Sequence, residues 1–139
     1  MIIDSAKTTK SLLRLKYYYF NDGYFDVATA AILDTIKPKK AAVTYTINTG
    51  AAYLLDTIKT TISTPALDSL YDSKKEAAMI QSGKQYKTTD FEEERNRVAT
   101  QFRNNGAYYF QPTYVNFDID TIAYGLYFNL LWLYRLKFL

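Results

Sequence analysis

Two residue types on which most catalytic and metal centres depend are missing from this chain of 139 residues, which has no cysteine and no histidine. The first absence removes disulfides, thiolate metal sites and thiol nucleophiles. The second removes the side chain that most often serves as general base and as metal ligand. Most hydrolase and metalloenzyme mechanisms are disfavoured on this ground, and no cofactor or metal is expected. An excess of one charge is also lacking. Seventeen basic against fourteen acidic residues leave a net charge of +3, scattered along the chain, which is too little for the basic stripe of a nucleic-acid surface. No secretory leader is expected in these residues either, because Met1-Ile2-Ile3-Asp4-Ser5-Ala6-Lys7 turns polar at once. The chain is therefore expected to be cytoplasmic or to be missing its true start. What the sequence does have is a 48% apolar content, enough for a compact core in one domain or two small ones. Its 14 tyrosines, together with Lys, Asn and Ile, fit an AT-rich genome as readily as a binding surface.

Periodicity divides the chain into elements. Leu13, Tyr17 and Phe20 recur at helical spacing from Lys7 onward, and Asn21-Asp22-Gly23 supplies a left-handed stop. Tyr24 to Ile36, the turn Lys37-Pro38-Lys39-Lys40, and the alternation of Val43, Tyr45 and Ile47 with Thr44, Thr46 and Asn48 predict a β-hairpin. Tyr53 to Ser63 is a further strand candidate, in which Leu54, Ile58 and Ile62 share one parity. Ser63-Thr64-Pro65 opens a helix carrying Leu67, Leu70 and Tyr71, with a restart at the capping box Ser73-Lys74-Lys75-Glu76 and a stop at Gly83. A second capping box, Thr89-Asp90-Phe91-Glu92, opens a helix whose buried face is Phe91, Val98, Ala99 and Phe102, and Asn104-Asn105-Gly106 ends it. Tyr108 to Ile119 then reads as a strand, with Val115, Phe117 and Ile119 on one side and Tyr114, Asn116 and Asp118 on the other. Pro112 places that strand at a sheet edge.

One unit occurs twice. Phe20-Asn21-Asp22-Gly23-Tyr24-Phe25 rhymes with Phe102-Arg103-Asn104-Asn105-Gly106-Ala107-Tyr108-Tyr109-Phe110, and Asp34-Thr35 rhymes with Asp120-Thr121. The two glycines are 83 positions apart, a period that suggests small domains in tandem rather than a short solenoid repeat.

The order Gly83, Tyr86, Phe91, Glu94, Arg95, Val98, Phe102, Gly106, Tyr108 resembles the second half of the POTRA module, the β-α-α-β-β domain found in tandem in the periplasmic part of BamA- and TamA-like outer-membrane proteins. The wording is most similar to Bacteroidetes-type members of the surface antigen family. The first copy matches from its second helix onward, through Leu13, Tyr17, Gly23, Tyr24 and the hairpin ending at Asn48. The resemblance implies an α+β fold of tandem modules, each a small mixed three-stranded sheet covered on one face by two helices. Residues 1–49 are expected to be the C-terminal half of a module, and residues 51–139 a whole one. A half-module implies a fragment of a longer protein, and residues 1–49 are expected to pack less stably than residues 51–120. The large C-terminal β-barrel of such proteins is not in this sequence, so membrane attachment is expected only through it.

The segment Ile122 to Tyr134 carries no charge, whereas the resemblance calls for a strand with a charged outer face. Three readings compete: an unusually apolar third strand, residues out of frame after a frameshift, and a membrane segment. The last ranks below the other two, because Arg135 and Lys137 arrive before the ~20 apolar residues a spanning helix needs. Glu92, Glu93 and Glu94 are read as first-turn acids complementing the helix dipole rather than as a metal cluster. Asp118 and Asp120 are read as solvent-facing strand residues, and Gly23 and Gly106 as turn glycines, since neither begins a helix within a phosphate-loop pattern. The aromatics Tyr17, Tyr18, Tyr19, Phe20, Tyr108 and Tyr109 and the arginines Arg95, Arg97 and Arg103 are read as packing and snorkelling rather than base stacking and phosphate contact.

A sheet covered on one face leaves a strand edge able to accept an extended segment from another chain. The expected docking edge is Pro112, Thr113, Tyr114, Val115, Asn116, Phe117 and Asp118, with Gly23, Tyr24, Gly83, Tyr86, Gly106 and Tyr108 as structural motif residues. The resemblance implies a non-enzymatic scaffold at the periplasmic face of the outer membrane. Its partners would be unfolded outer-membrane β-barrel proteins, assembly lipoproteins or neighbouring POTRA modules, and not nucleic acid. The rival expectation is a structural spacer of a translocation, secretion or division scaffold that binds no client.

Overall fold

The computed structural model describes residues 5–37, 40–120 and 127–134. The start Met1–Asp4, the turn residues Pro38 and Lys39, Thr121 and the apolar residues 122–126 lie outside the described residues, as do residues 135–139. The chain divides into two compact units, Met1–Ala52 and Tyr53–Leu139.

In the first unit, helix α1 (Ser5–Asn21) is followed by a hairpin of strands β1 (Ala28–Lys37) and β2 (Lys40–Asn48), paired antiparallel from Ala28 opposite Asn48 to Lys37 opposite Lys40. β1 begins four residues later than the composition of Tyr24 to Ile36 suggests. The N–H of Val27 closes a turn onto the carbonyl of Tyr24 (3.3 Å), so the chain must first reverse after the helix. Thr29, Ala31 and Leu33 stand opposite Ile47, Tyr45 and Val43 and share one face of the hairpin. That face is only partly covered: Leu33 is 55% exposed, and no residue of α1 is buried.

The second unit runs β3 (Leu54–Ile62), α2 (Pro65–Asp72), α3 (Thr88–Asn104), β4 (Asn116–Asp120) and β5 (Tyr127–Tyr134). Its sheet order is β3-β5-β4, with β5 parallel to β3 and antiparallel to β4. This is an α+β fold, β-α-α-β-β around a mixed three-stranded sheet. Of the apolar C-terminal segment, Tyr127–Tyr134 is therefore the central strand.

β3 has a register shift between Leu55 and Ile58, so Leu55 rather than Leu54 joins Ile58 and Ile62 on the inner side. The irregularity lets both Leu55 and Ile58 meet the core, while Asp56 and Thr57 stay exposed. The core joins Leu55, Tyr71, Ile80, Phe91, Val98, Ala99, Phe102, Phe110 and Val115. Phe102 and Val98 have no exposed surface, and burying side chains of this size stabilises by ~1.5–3 kcal/mol each. Phe102 and Phe110 meet edge to face at 4.9 Å, as do Phe91 and Phe117 at 5.0 Å.

The expected capping boxes do not form. α3 starts at Thr88 with Lys87 as its cap residue, and no side chain caps it. Ser73 ends α2, and its hydroxyl donates back to the carbonyl of Leu70 (2.7 Å) instead of opening a second helix. Beyond Ser73 the chain makes only a single 3-10 turn, Lys75–Ala77. Gly83 ends no helix. It sits in a turn at φ +82°, and its N–H donates to the Leu55 carbonyl (2.7 Å).

Candidate functional site

Of the two outer strands in the second unit, β3 is closed along its first residues. The N–H of Leu55 donates to Lys84 (2.8 Å), the N–H of Tyr86 donates to Tyr53 (2.9 Å), and Leu54 bridges Gln85. β4 has no such cover. It pairs with β5 from Asn116 opposite Leu133 to Asp120 opposite Asn129, and among the described residues nothing pairs with its other side. β4 is open along its whole length, and β3 only beyond Leu55.

The edge is shorter than the sequence suggests. Pro112–Tyr114 is a 3-10 turn, closed by the N–H of Val115 on the carbonyl of Pro112 (3.1 Å). Pro112, Thr113 and Tyr114 are therefore not strand residues, and Val115 precedes β4. Proline's fixed φ suits the first position of such a turn as well as it suits a strand edge, and local hydrogen bonding settled the choice. Two arginines of α3 hold the segment away from the sheet. Arg103 Nε donates to the Phe110 carbonyl (2.6 Å), and Arg95 Nε donates to the Val115 carbonyl (3.1 Å). Arg95 also lies 5.0 Å over the Phe117 ring and pairs with Glu92 (2.8 Å). Sequence reasoning gave these arginines only a snorkelling role. Here they clamp the strand's approach.

From Val115 onward the expected parity holds. Val115 is 1% exposed and Phe117 packs on the core, while Asn116 and Asp118 are exposed. Ile119, on the inner parity, is 39% exposed at the end of the strand. The open edge thus presents a five-residue backbone with a carboxylate, Asp118, on its solvent side.

The motif residues divide. Gly23 (φ +88°) and Gly106 (φ +104°) close matching helix ends. Tyr86 meets Phe91 at 5.0 Å and packs on the core. Tyr24 contacts Tyr19 at 6.1 Å. Tyr108 is 75% exposed and starts no strand. The hydrogen bonds also correct the register of the repeat. Tyr24 N–H donates to Tyr19 and Ala107 N–H to Phe102, so Phe102 corresponds to Tyr19 rather than to Phe20.

One group was misread from sequence. Glu94 is not a solvated first-turn acid but has no exposed surface. Its Oε2 accepts from the Met79 N–H (2.8 Å) and from Arg97 Nε (2.8 Å), and its Oε1 accepts from Arg97 Nη2 (2.6 Å). Arg97 Nη1 also donates to Gln101 (2.9 Å), whose amide donates in turn to the Leu70 carbonyl. The signal was present in the spacing, because position 94 falls three after Phe91 and four before Val98, on the buried stripe itself. Beside this network, burial and then the Glu94 charge push the Tyr71 hydroxyl up to about 12. The carboxylate is fully engaged in joining α3 to the end of α2 and to the loop at Met79.

No family model and no curated protein sequence matches the chain. Among solved structures, a crystal structure of POTRA domains 3–5 of BamA from Haemophilus influenzae is similar at 12% identity, over 92% of this chain and 47% of that one, with a TM-score of 0.40. The chain spans about half the length of that structure.

Proposed function

We propose that this chain is a POTRA-type protein-binding scaffold from the periplasmic part of an outer-membrane protein-assembly factor, and that β4 is its docking edge. Residues 1–49 would be the second half of one module, and residues 51–139 a whole one. The observation that carries the reading is the contrast between the two outer strands: β3 is covered by residues 83–86 at its start and open beyond Leu55, while β4 is clamped just before its start and open along all of Asn116–Asp120. The order β-α-α-β-β and the residues from Gly83 to Tyr108 that resemble the module support it. An extended segment of an unfolded β-barrel protein or an accessory lipoprotein would add to β4 through main-chain hydrogen bonds. Asp118 on the solvent side would favour segments carrying Lys or Arg.

A second reading, the client-free spacer, draws on the same strand. Five residues and an outward carboxylate are features that discourage edge pairing. Titrating a peptide with the alternating pattern of a barrel strand into the ¹⁵N-labelled chain separates the two. The docking reading expects amide shifts concentrated on Asn116–Asp120, weakened when Asp118→Lys meets a Lys-bearing peptide. Unmoved β4 amides at millimolar peptide would leave the spacer.

A further inference from the structure

The stretch that leads into β4 satisfies its own backbone. The N–H groups of Phe110, Tyr114 and Val115 donate to Ala107 (2.9 Å), Gln111 (3.0 Å) and Pro112 (3.1 Å). The carbonyls of Phe110 and Val115 accept from Arg103 Nε (2.6 Å) and Arg95 Nε (3.1 Å). Val115 thus has both main-chain groups engaged off the sheet, and an incoming strand pairs no earlier than Asn116. Five residues of edge remain, Asn116–Asp120. In an antiparallel ladder only alternate residues turn their N–H and C=O to the open side, so main-chain pairing over this length is brief and nearly indifferent to sequence. Selectivity has to come from side chains that border the edge.

Two charges border it, of opposite sign and on opposite faces of the sheet. Asp118 lies on the solvent face, exposed, with no ion pair among the described residues. Val115 and Phe117, of the other parity, turn to the core. Arg95 stands on that helix-covered face, with Nε on the Val115 carbonyl and its guanidinium 5.0 Å over the Phe117 ring. Its side chain is 31% exposed, Nη1 pairs with Glu92 at 2.8 Å, and Nη2 has no partner among the described residues. The arginine is therefore anchored at the start of the edge with donors to spare, its plane held by a carbonyl and a ring. A guanidinium fixed in this way is preorganised for a carboxylate.

The two-residue period of a strand turns these charges into a sequence pattern. An incoming residue opposite Asp118 shares the solvent face with it, and the residue opposite Val115, three positions along, lies on the helix face beside Arg95. In an antiparallel partner that residue comes three later in the chain. Antiparallel pairing is the more stable per residue, which matters most on a short edge.

We infer that Arg95 is a specificity-determining residue of the β4 edge, which selects an antiparallel segment carrying a basic residue opposite Asp118 and, three positions later, an acidic residue whose carboxylate bonds to Arg95. The inference rests on β4 being a docking edge and goes beyond it in naming the charge order and the direction of the partner strand. Glu92 already neutralises part of the arginine's charge, and both bordering charges meet solvent, so the selectivity is modest.

The test titrates the ¹⁵N-labelled full chain with the peptide Thr-Val-Thr-Val-Lys-Val-Thr-Glu-Thr, with a form carrying Gln in place of Glu, and with the reordered peptide Thr-Glu-Thr-Val-Lys-Val-Thr-Val-Thr. At low salt the first should bind about two- to fivefold more tightly than the other two, with shifts on the amides of Asn116–Asp120 and on the Arg95 Nε–H signal. Glu92→Gln, at an exposed site, should enlarge that preference. Arg95→Gln should abolish it while the β4 shifts persist. Equal binding of all three peptides at β4, tighter binding of the reordered one, or a preference that neither substitution changes would overturn the inference and leave β4 as a docking edge. Unmoved β4 amides with every peptide would overturn both.

Discussion

α1 and α3 are both 17 residues long and end in the same glycine-closed turn, yet one is buried along a full stripe and the other has no buried residue. The difference lies in what surrounds each helix. α3 packs with α2 over a three-stranded sheet, and Phe91, Val98, Ala99 and Phe102 find partners on several sides. α1 lies on a two-stranded hairpin, so Leu15 and Tyr19, the counterparts of Val98 and Phe102, are only half-buried, while Leu13 and Tyr17, expected on the buried stripe, fall on the exposed side of the helix. An apolar stripe marks a face able to be buried. Only neighbouring elements bury it.

The largest expected effect is at the paired positions Phe102 and Tyr19. Phe102→Ala should cost about 3–5 kcal/mol, as for a fully buried phenylalanine. Tyr19→Ala should cost about 1 kcal/mol or less, as for a half-exposed residue. Urea unfolding read by Trp132, the single tryptophan, which lies in β5, follows the second unit, and amide signals of α1 follow the first. Equal losses would erase the contrast between the units.

A smaller effect should be alike in both. At Gly106 an added Cβ meets nothing within 4 Å, so Gly106→Ala pays only for the positive φ, about 1–2 kcal/mol. Gly23→Ala should lower the helicity of α1 by at least as much, because Gly23 also has a positive φ and is buried where Gly106 is exposed. A much smaller cost at Gly23, measured by amide exchange at Tyr19 and Phe20, would show that the two turns are not equivalent in solution.

A further effect belongs to the second unit alone and depends on pH. The Tyr71 hydroxyl is raised from 10.0 to about 12 in the folded state. The unfolded chain therefore loses this proton first, and stability should be flat below about pH 10 and fall as pH rises toward about 12. Tyr71→Phe should remove that part of the slope in urea midpoints measured across the window. An unchanged slope would mean that Tyr71 ionises as easily folded as unfolded.

Much of the candidate site was legible because it depends on local rules. The parity of Val115, Phe117 and Asp118 follows from the two-residue period of a strand, whereas Pro112, read as part of an edge strand, opens a 3-10 turn instead. The start of β4 was not legible, since Arg95 and Arg103 reach it from 20 and 7 residues away. Those bonds exist only once α3 packs on the sheet. Glu94 was misread for a related reason. Its neighbours Glu92 and Glu93 look the same in sequence, and only the helix's orientation in the core separates a buried acid from two exposed ones.

By itself, the sequence determined the helix ends at Gly23 and Gly106, the hairpin alternation and the α+β character, because backbone sterics and side-chain period act within a few residues. Only the tertiary structure decided that β5 is the central strand, that β3 is capped at its start and β4 open throughout, and that Glu94 is buried on Arg97. Each of these depends on which distant segments compete for the same edge or face, and local propensity carries no record of that competition.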